Sequence, residues 1–168
     1  MSPFLISQIL IGIAFLFDLA SFQFKKREVT LALFTISASL IATHYFLLGA
    51  TAGGLIIAVS ATRFFVSIFT QHVYVKYGAL AAITASILYS FDGFEDIFIL
   101  LAGIFGTFAA FQKDERMLRI LMMCGTTSAI IFNALVWSPA AIVLELFFIS
   151  SNILSYHRFY MRKPVVEL

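Results

Sequence analysis

The sequence predicts an all-α, polytopic membrane protein with seven transmembrane helices. Of its 168 residues, 61% are hydrophobic and only 12% are charged, whereas charged residues make up about a quarter of a soluble domain. Long apolar stretches alternate with short polar connections, and seven spans of about 20 residues each use nearly the whole length. The chain is therefore predicted to be a single transmembrane domain, residues 1–168, because no loop is long enough to form a soluble domain.

The apolar stretches and the turn residues between them define the predicted spans. Pro139 suits the first turn of a helix, where its missing N–H group costs nothing, and Gly49 marks another tight turn. No basic residue precedes the first apolar run and no small-residue cleavage site follows it, so we interpret it as a span and not as a signal peptide. The predicted spans are 3–23, 29–48, 51–70, 75–91, 95–112, 117–137 and 139–157.

The basic residues predict an orientation. They occur in the first, third and fifth connections and in the tail, whereas the second and sixth connections carry no charge and the fourth carries only acids. Because short cytoplasmic loops retain Lys and Arg, we expect a periplasmic N-terminus and a cytoplasmic tail, residues 158–168. Arg63 is the exception, because it lies near the middle of a span, whereas the other basic residues lie in or beside these connections. The other basic residues are Lys25, Lys26, Arg27, Lys76, Lys113, Arg116, Arg119, Arg158, Arg162 and Lys163.

An internal repeat predicts how the helices are organised. A shift of 89 residues places residues 20–65 on residues 109–154, and several polar positions then coincide. The coincident pairs are Asp18 with Thr107, Ser37 with Thr126, His44 with Asn133 and Arg63 with Asn152.

The repeat favours a three-plus-one-plus-three arrangement. Repeat one spans residues 3–70, a linker helix spans 75–91, and repeat two spans 95–157. Because an odd number of helices separates the two triplets, they have the same orientation. Parallel repeats of this kind are a known transporter plan.

Polar side chains within the spans are the candidate binding residues. Ionisable groups in a span are costly, usually face the bundle interior, and are functional by default. Several of these residues are seven positions apart, close to two helical turns, and so share a helix face. The candidates are Asp18, Ser37, His44, Arg63, Thr126, Asn133, Glu145 and Asn152.

Position along each span places these residues in two layers. Asp18, Arg63 and Asn152 fall in the inner half, whereas the other ionisable candidates, His44 and Glu145, fall in the outer half with Asn133. We expect Asp18 to pair with the Arg63 guanidinium, with Asn152 or water near its other side. The alternative is that the Asp18–Arg63 pair and the amides only hold helices together.

No catalytic residue, metal site or cofactor is predicted. The sequence contains no metalloprotease, serine hydrolase or phosphate-binding motif, and its three His residues are dispersed. An intramembrane enzyme using His44 and Glu145 is disfavoured, because neither a nucleophile nor a metal accompanies them.

Cys124 is the only cysteine, which excludes an internal disulfide, and we expect it to be a small buried helix residue. The net charge of +2 gives no reason to expect nucleic acid as a partner.

Two short motifs carry a resemblance to a known family. The turn at residues 47–50 (LLGA) and the stretch at residues 60–63 (SATR) resemble the YgjV-type bacterial inner-membrane proteins, over nearly the whole chain. This resemblance implies a multi-pass protein of the bacterial inner membrane, but it implies no activity.

The three-plus-one-plus-three arrangement is more distantly similar to that of SWEET, PQ-loop and PnuC-type transporters. In SWEETs an amide on the third helix of each repeat contacts substrate, and the equivalent positions are Arg63 and Asn152, although no mid-span hinge proline is present.

Two classes of function remain open. The first is a small-solute transporter or facilitator whose central cavity, between the two helix triplets, binds a polar, anionic or zwitterionic metabolite. The second is a non-transporting membrane subunit or regulator in which the polar residues are structural. The expected partners are membrane lipid and, for a transporter, a small-molecule substrate, while homo-oligomerisation is left open. A wet cavity favours the first class and a packed centre the second.

The orientation can be tested with reporter fusions. A reporter fused at the C-terminus should behave as cytoplasmic, and one inserted between Asp92 and Asp96 should behave as periplasmic. A C-terminal reporter with periplasmic activity would reverse the predicted orientation.

Overall fold

In a computed structural model, which describes residues 3–48, 51–89, 91, 93–135 and 139–161, the chain is all-α. The described residues form seven α-helices followed by one short π-helical segment. The helices are α1 (Pro3–Ser21), α2 (Arg27–Leu47), α3 (Thr51–Phe69), α4 (Val73–Tyr89), α5 (Asp96–Ala110), α6 (Glu115–Leu135) and α7 (Pro139–Tyr156), and the π-helical segment is His157–Met161.

Each predicted span corresponds to one helix, with ends that differ by a few residues. The start of α7 at Pro139 agrees with the prediction. The predicted turn at Gly49 and the tail from residue 162 lie outside the described residues. Apolar side chains favour helix formation here without fixing the ends, because helix termini fray and their capping groups vary.

Among the described residues, three helices are long and apolar enough to cross a membrane, namely α1, α2 and α6. The apolar helices α4 and α5 are shorter, with 17 and 15 residues. A helix of 15 residues rises about 22 Å, less than the hydrocarbon thickness of about 30 Å. The hydrophobic length of the bundle is therefore uneven around its circumference.

The helices alternate in direction. Contacts show this, because the last residues of odd-numbered helices lie beside the first residues of even-numbered ones. Arg27, at the start of α2, donates hydrogen bonds to Ser67 in α3 and Ala110 in α5. Lys76 Nζ, near the start of α4, lies 5.3 Å from the centroid of the Phe108 ring. We call this the basic end, because it carries most of the Lys and Arg residues. The other end, where α5 begins, is the acidic end.

Neighbours in sequence are also neighbours in space. Helix α2 packs between α1 and α3, and α6 packs between α5 and α7. Helix α4 packs against α5 and less extensively against α3. Direct contacts between α3 and α5 and between α1 and α7 join the first three helices to the last three.

The densest packing lies toward the basic end. The buried core there combines rings of Phe22, Phe34 and Phe64 with aliphatic groups such as Leu31 and Leu118. Burial of each such side chain contributes roughly 1.5–3 kcal/mol in water. Large apolar side chains elsewhere are exposed on the outer surface, as membrane lipid would require.

Cys124 is one exception to the predictions. It is an exposed free thiol on α6, so the expectation that it would be buried was wrong. The buried positions of α6 include Gly125, Thr126 and Ser128 instead. Small size allows a residue to lie at a helix interface but does not decide which face of the helix turns inward.

Buried arginines close the basic end. Arg27 is only 4% exposed. Its Nη2 donates to Ser67 O at 2.7 Å and Ala110 O at 2.6 Å, and its Nε donates to Gln112 O. The last turn of a helix leaves carbonyl groups without partners and favours cations. One guanidinium therefore holds the ends of α3 and α5 against the start of α2.

A second buried arginine performs the same task for the other half of the chain. Arg119 is fully buried, donates to Phe24 O at 2.5 Å and pairs with Glu115 at 2.6 Å. Asn152 Nδ2 in turn donates to Arg119 O at 3.0 Å. We call Arg27, Glu115, Arg119 and Asn152 the basic-end clasp, because together they connect α2, α3, α5, α6, α7 and the segment between α1 and α2.

The clasp predicts that Arg27 is important for stability. Arg27→Met keeps the aliphatic stem but removes every donor, which leaves three carbonyl acceptors without their partner. The free energy of unfolding should fall by about 3 kcal/mol, since each hydrogen bond to a charged group contributes about 1.5–3 kcal/mol. Thermal unfolding in detergent measures the loss. Lys26→Met, at the exposed neighbouring position, is the matched control, and equal unfolding midpoints for the two variants would show that the clasp contributes nothing.

Candidate functional site

A cavity of about 740 Å³ lies inside the bundle. All seven helices contribute to its lining, which is mostly apolar. The lining extends from Asp96, the first residue of α5 at the acidic end, to Leu19 and Phe148 toward the basic end. The helices thus pack densely at the basic end and enclose a space in the remainder of the bundle.

Four aromatic rings separate the cavity from the basic-end clasp. The ring of Phe34 lies 5.9 Å from that of Phe22, 5.5 Å from that of Phe64 and 5.7 Å from that of Phe148, centroid to centroid. Phe22 and Phe148 pack edge to face at 4.6 Å. We call these rings the aromatic floor. Such ring pairs add about 0.5–1.5 kcal/mol each beyond the area they bury.

Arg63 faces the cavity from α3 and is 7% exposed. Its Nη1 donates to Thr107 Oγ1 at 2.9 Å and to Gly103 O at 3.2 Å, both on α5. Its Nε makes no hydrogen bond. The guanidinium carbon lies 4.6 Å from the centroid of the Phe64 ring. A fixed cation therefore lies just above the aromatic floor, held by neutral groups only.

Glycines on α5 make this position possible. A methyl group on Gly106 would lie 3.3 Å from Arg63 Nη2, so the absence of a side chain leaves room for the guanidinium. A methyl group on Gly125 would lie 3.3 Å from Ala102 O, which indicates close packing of α6 against α5. Small residues here allow close helix packing and also accommodate a charged side chain.

Two carboxyl groups face the same cavity, Asp18 from α1 and Glu145 from α7. They are near enough to interact electrostatically. Ser37 Oγ on α2 lies beside the Asp18 carboxyl but does not reach ordinary hydrogen-bond geometry. The cavity thus contains separate cationic and anionic parts.

Five of the eight candidate residues line the cavity, and three do not. Those that line it are Asp18, Ser37, Arg63, Thr126 and Glu145.

The remaining three candidates lie elsewhere. His44 Nδ1 lies 2.9 Å from Ser7 O, where it joins α2 to the start of α1. Asn133 is half-buried on α6, away from the cavity lining. Asn152 belongs to the basic-end clasp and is fully buried. A shared helix face therefore did not guarantee a shared environment, because the cavity occupies only part of each helix's length.

The expected pairing of Asp18 with Arg63 was wrong. Within the described residues, the one ion pair is Arg119 with Glu115. Arg63 instead donates to α5. Asn152, expected on the other side of Arg63, donates to a backbone carbonyl of the clasp. The Nη1 group of Arg63 finds its acceptors in a carbonyl and a hydroxyl oxygen, which a sequence pattern does not reveal.

Sequence reasoning missed four residues in this region. Arg27 and Arg119 were interpreted as surface charges that set the orientation, yet both are buried. Glu115 is buried with them, and Asp96 lines the cavity. The spacing of Glu115 and Arg119, four residues apart at the start of a helix, was the available signal for an ion pair.

The environment of Arg63 predicts the effect of removing its hydroxyl partner. Thr107→Val keeps the shape of the side chain but leaves Arg63 Nη1 with a single acceptor. The free energy of unfolding should fall by about 1–3 kcal/mol, the cost of an unsatisfied buried donor.

The matched control is Thr127→Val. Thr127 is exposed on α6 and its hydroxyl donates only to Met123 O, within the same helix. This variant should stay within about 0.5 kcal/mol of the wild type. Denaturant or thermal unfolding in detergent measures both variants, and similar losses in the two would mean that Thr107 does not support Arg63.

Comparison with known proteins identifies the family. No curated protein and no solved structure matches the chain. The family model Imp-YgjV, described as a bacterial inner membrane protein, matches residues 5–163. The apolar helices described above agree with that description. The chain therefore belongs to the Imp-YgjV family of bacterial inner membrane proteins.

Proposed function

We propose that the protein is a transporter or facilitator of a small polar metabolite in the bacterial inner membrane. The observation that carries this proposal is the cavity of about 740 Å³, which charged groups from α1, α3 and α7 line. Cavities that bind small molecules measure about 300–1,000 Å³ and combine apolar walls with a few polar groups. A bundle whose polar residues served only packing would not need this space.

The chemistry of the cavity favours a solute with a negatively charged group. Arg63 presents a guanidinium whose Nε has no partner, and a guanidinium has five N–H donors in a fork suited to a carboxylate or phosphate. The acidic groups of Asp18 and Glu145 would accommodate a positive charge, either on the same solute or on a separate ion. An anionic or zwitterionic metabolite therefore fits best.

We further propose that the seven helices form two parallel triplets joined by α4. Helices α2 and α6 begin at residues 27 and 115, and α3 and α7 begin at residues 51 and 139, so both pairs are separated by 88 residues. This separation is close to the sequence shift of 89. The charge pattern supports a periplasmic N-terminus, which would make the basic end cytoplasmic.

The aromatic floor and the basic-end clasp would form the barrier to passage. Solute in the cavity would meet four packed rings and then the hydrogen-bonded ends of five helices. Passage would require these contacts to separate and reform, as in carriers whose two halves move against each other.

The alternative function is a non-transporting membrane subunit or regulator. The contacts of Asn152 favour this alternative. The repeat pairs Asn152 with Arg63, but its side chain donates to the backbone carbonyl of Arg119 and so joins α7 to α6. Interhelical hydrogen bonds of this kind hold bundles together without any ligand.

Uptake into proteoliposomes tests the proposal. Metabolites would be screened in anionic, zwitterionic, cationic and neutral groups, and we expect accumulation of an anionic or zwitterionic one. Arg63→Gln should reduce its uptake at least tenfold, because the loss of a charge-assisted hydrogen bond of about 1.5–3 kcal/mol corresponds to a factor of about 10–150.

Arg116→Gln is the matched control. Arg116 is exposed and donates to Tyr156 at the basic end, outside the cavity. Both variants must retain the wild-type elution profile and unfolding midpoint. Equal uptake by the two variants would exclude Arg63 from the binding site, and no uptake in any class would favour the subunit.

A further inference from the structure

Asp18 and Glu145 have no basic partner in the cavity. Neither carboxyl makes an ion pair within the described residues. Arg63, the cation that lines the same cavity, donates hydrogen bonds from its Nη1 to Gly103 O and Thr107 Oγ1 on α5. Two half-buried acids thus face a largely apolar space, where uncompensated negative charge is costly.

Ser37 is a second observation that points to a ligand at this position. It is 1% exposed, it lines the cavity, and its Oγ has no hydrogen-bond partner. The other four Ser and Thr hydroxyls on α2 donate to the carbonyl four residues earlier, those of Thr30, Thr35, Ser39 and Thr43. An unsatisfied buried hydroxyl costs about 1–3 kcal/mol. Ser37 therefore has an oxygen available beside the Asp18 carboxyl.

The charged groups around this cluster come from a few helices. Arg63 on α3 and Asp96 on α5 line the cavity, whereas the described lining residues of α4 and α6 are uncharged. His44 on α2 contacts Ser7 O, outside the lining. Asp96 accepts a hydrogen bond from Gly93 N at 3.4 Å. The other charged lining residues are two acids and one base, so the cavity has room for one further positive charge.

We propose that Asp18, Glu145 and Ser37 form a binding site for a small monovalent cation, either a proton or an alkali-metal ion, that is bound together with the solute. Four carboxylate oxygens and one hydroxyl oxygen are hard ligands of the type that alkali ions prefer, and a carboxyl pair can equally hold one proton between its members. Coupling to the solute rests on the proposed transport function. Cation binding itself does not.

Thermal unfolding of the purified full chain in detergent tests binding without any transport. Unfolding midpoints are measured in NaCl and KCl against choline chloride at equal ionic strength, and over a pH series in choline chloride. An alkali ion at a concentration about a hundredfold above its dissociation constant should raise the midpoint by about 5 °C. A bound proton should instead make the midpoint fall as the pH is raised in choline chloride.

Amide variants identify the site. Asp18→Asn and Glu145→Gln should each lose most of the response, and Ser37→Ala should weaken it. Glu28→Gln, an exposed carboxyl at the start of α2, is the matched control and should keep the wild-type response. If a single amide variant fails to fold, the double variant Asp18→Asn/Glu145→Gln and Ser37→Ala still provide the test.

The outcomes separate the two cations and the two proposals. A response to Na⁺ or K⁺ that the variants abolish identifies an alkali-ion site, and a pH response that they abolish identifies a proton site. Responses that are absent, or unchanged in Asp18→Asn and Glu145→Gln, overturn the cation site. Cation binding without uptake of any solute would retain this site and overturn the transport function, whereas uptake without cation binding would do the reverse.

Discussion

The hydrogen bonds that buried guanidinium groups donate constrain this structure more than any other interaction. Arg27 and Arg119 obtain those acceptors from backbone carbonyls at the ends of other helices and loops. Carbonyl groups at helix ends lack hydrogen-bond partners. Each arginine therefore donates to carbonyls that would otherwise be unpaired, and gains acceptors for some of its own N–H groups. These bonds hold α2, α3, α5, α6 and the segment between α1 and α2 together at one end. The aromatic floor can then pack above them, and the cavity can remain open beyond that floor without the bundle coming apart.

Hydropathy alone predicted the seven helices, because burying a backbone in lipid requires continuous helical hydrogen bonding. It also indicated that Asp18, Arg63 and Glu145 face inward, because charge is costly against lipid. The partners of those groups could not be predicted. A long arginine side chain can reach carbonyls on several helices, and Arg63 reaches Gly103 O, a group common to every residue type. Arg27 and Arg119 were missed for a related reason: a basic residue near a helix end satisfies the orientation rule wherever its side chain points.

The same helices pack densely near the basic end and enclose a cavity in the rest of the bundle, because the sizes of their side chains differ between the two parts. Phe22, Phe34 and Phe64 fill the centre near the basic end. Glycine and serine replace them along the cavity walls, at Gly12, Ser37, Ser60, Gly103 and Gly106. Gly106 shows that small residues can serve two purposes, since it allows a close approach and also leaves room for a guanidinium.

The aromatic floor has a consequence for the membrane potential. If water fills the cavity, its high dielectric constant carries the potential of one side almost to Phe34 and Phe148, and most of the voltage then falls across a layer a few rings thick. Moving one elementary charge through such a layer changes the free energy by about 2.3 kcal/mol per 100 mV. Arg63, whose guanidinium rests against the Phe64 ring at 4.6 Å, lies at the edge of that layer. Small displacements of this side chain would therefore be sensitive to voltage.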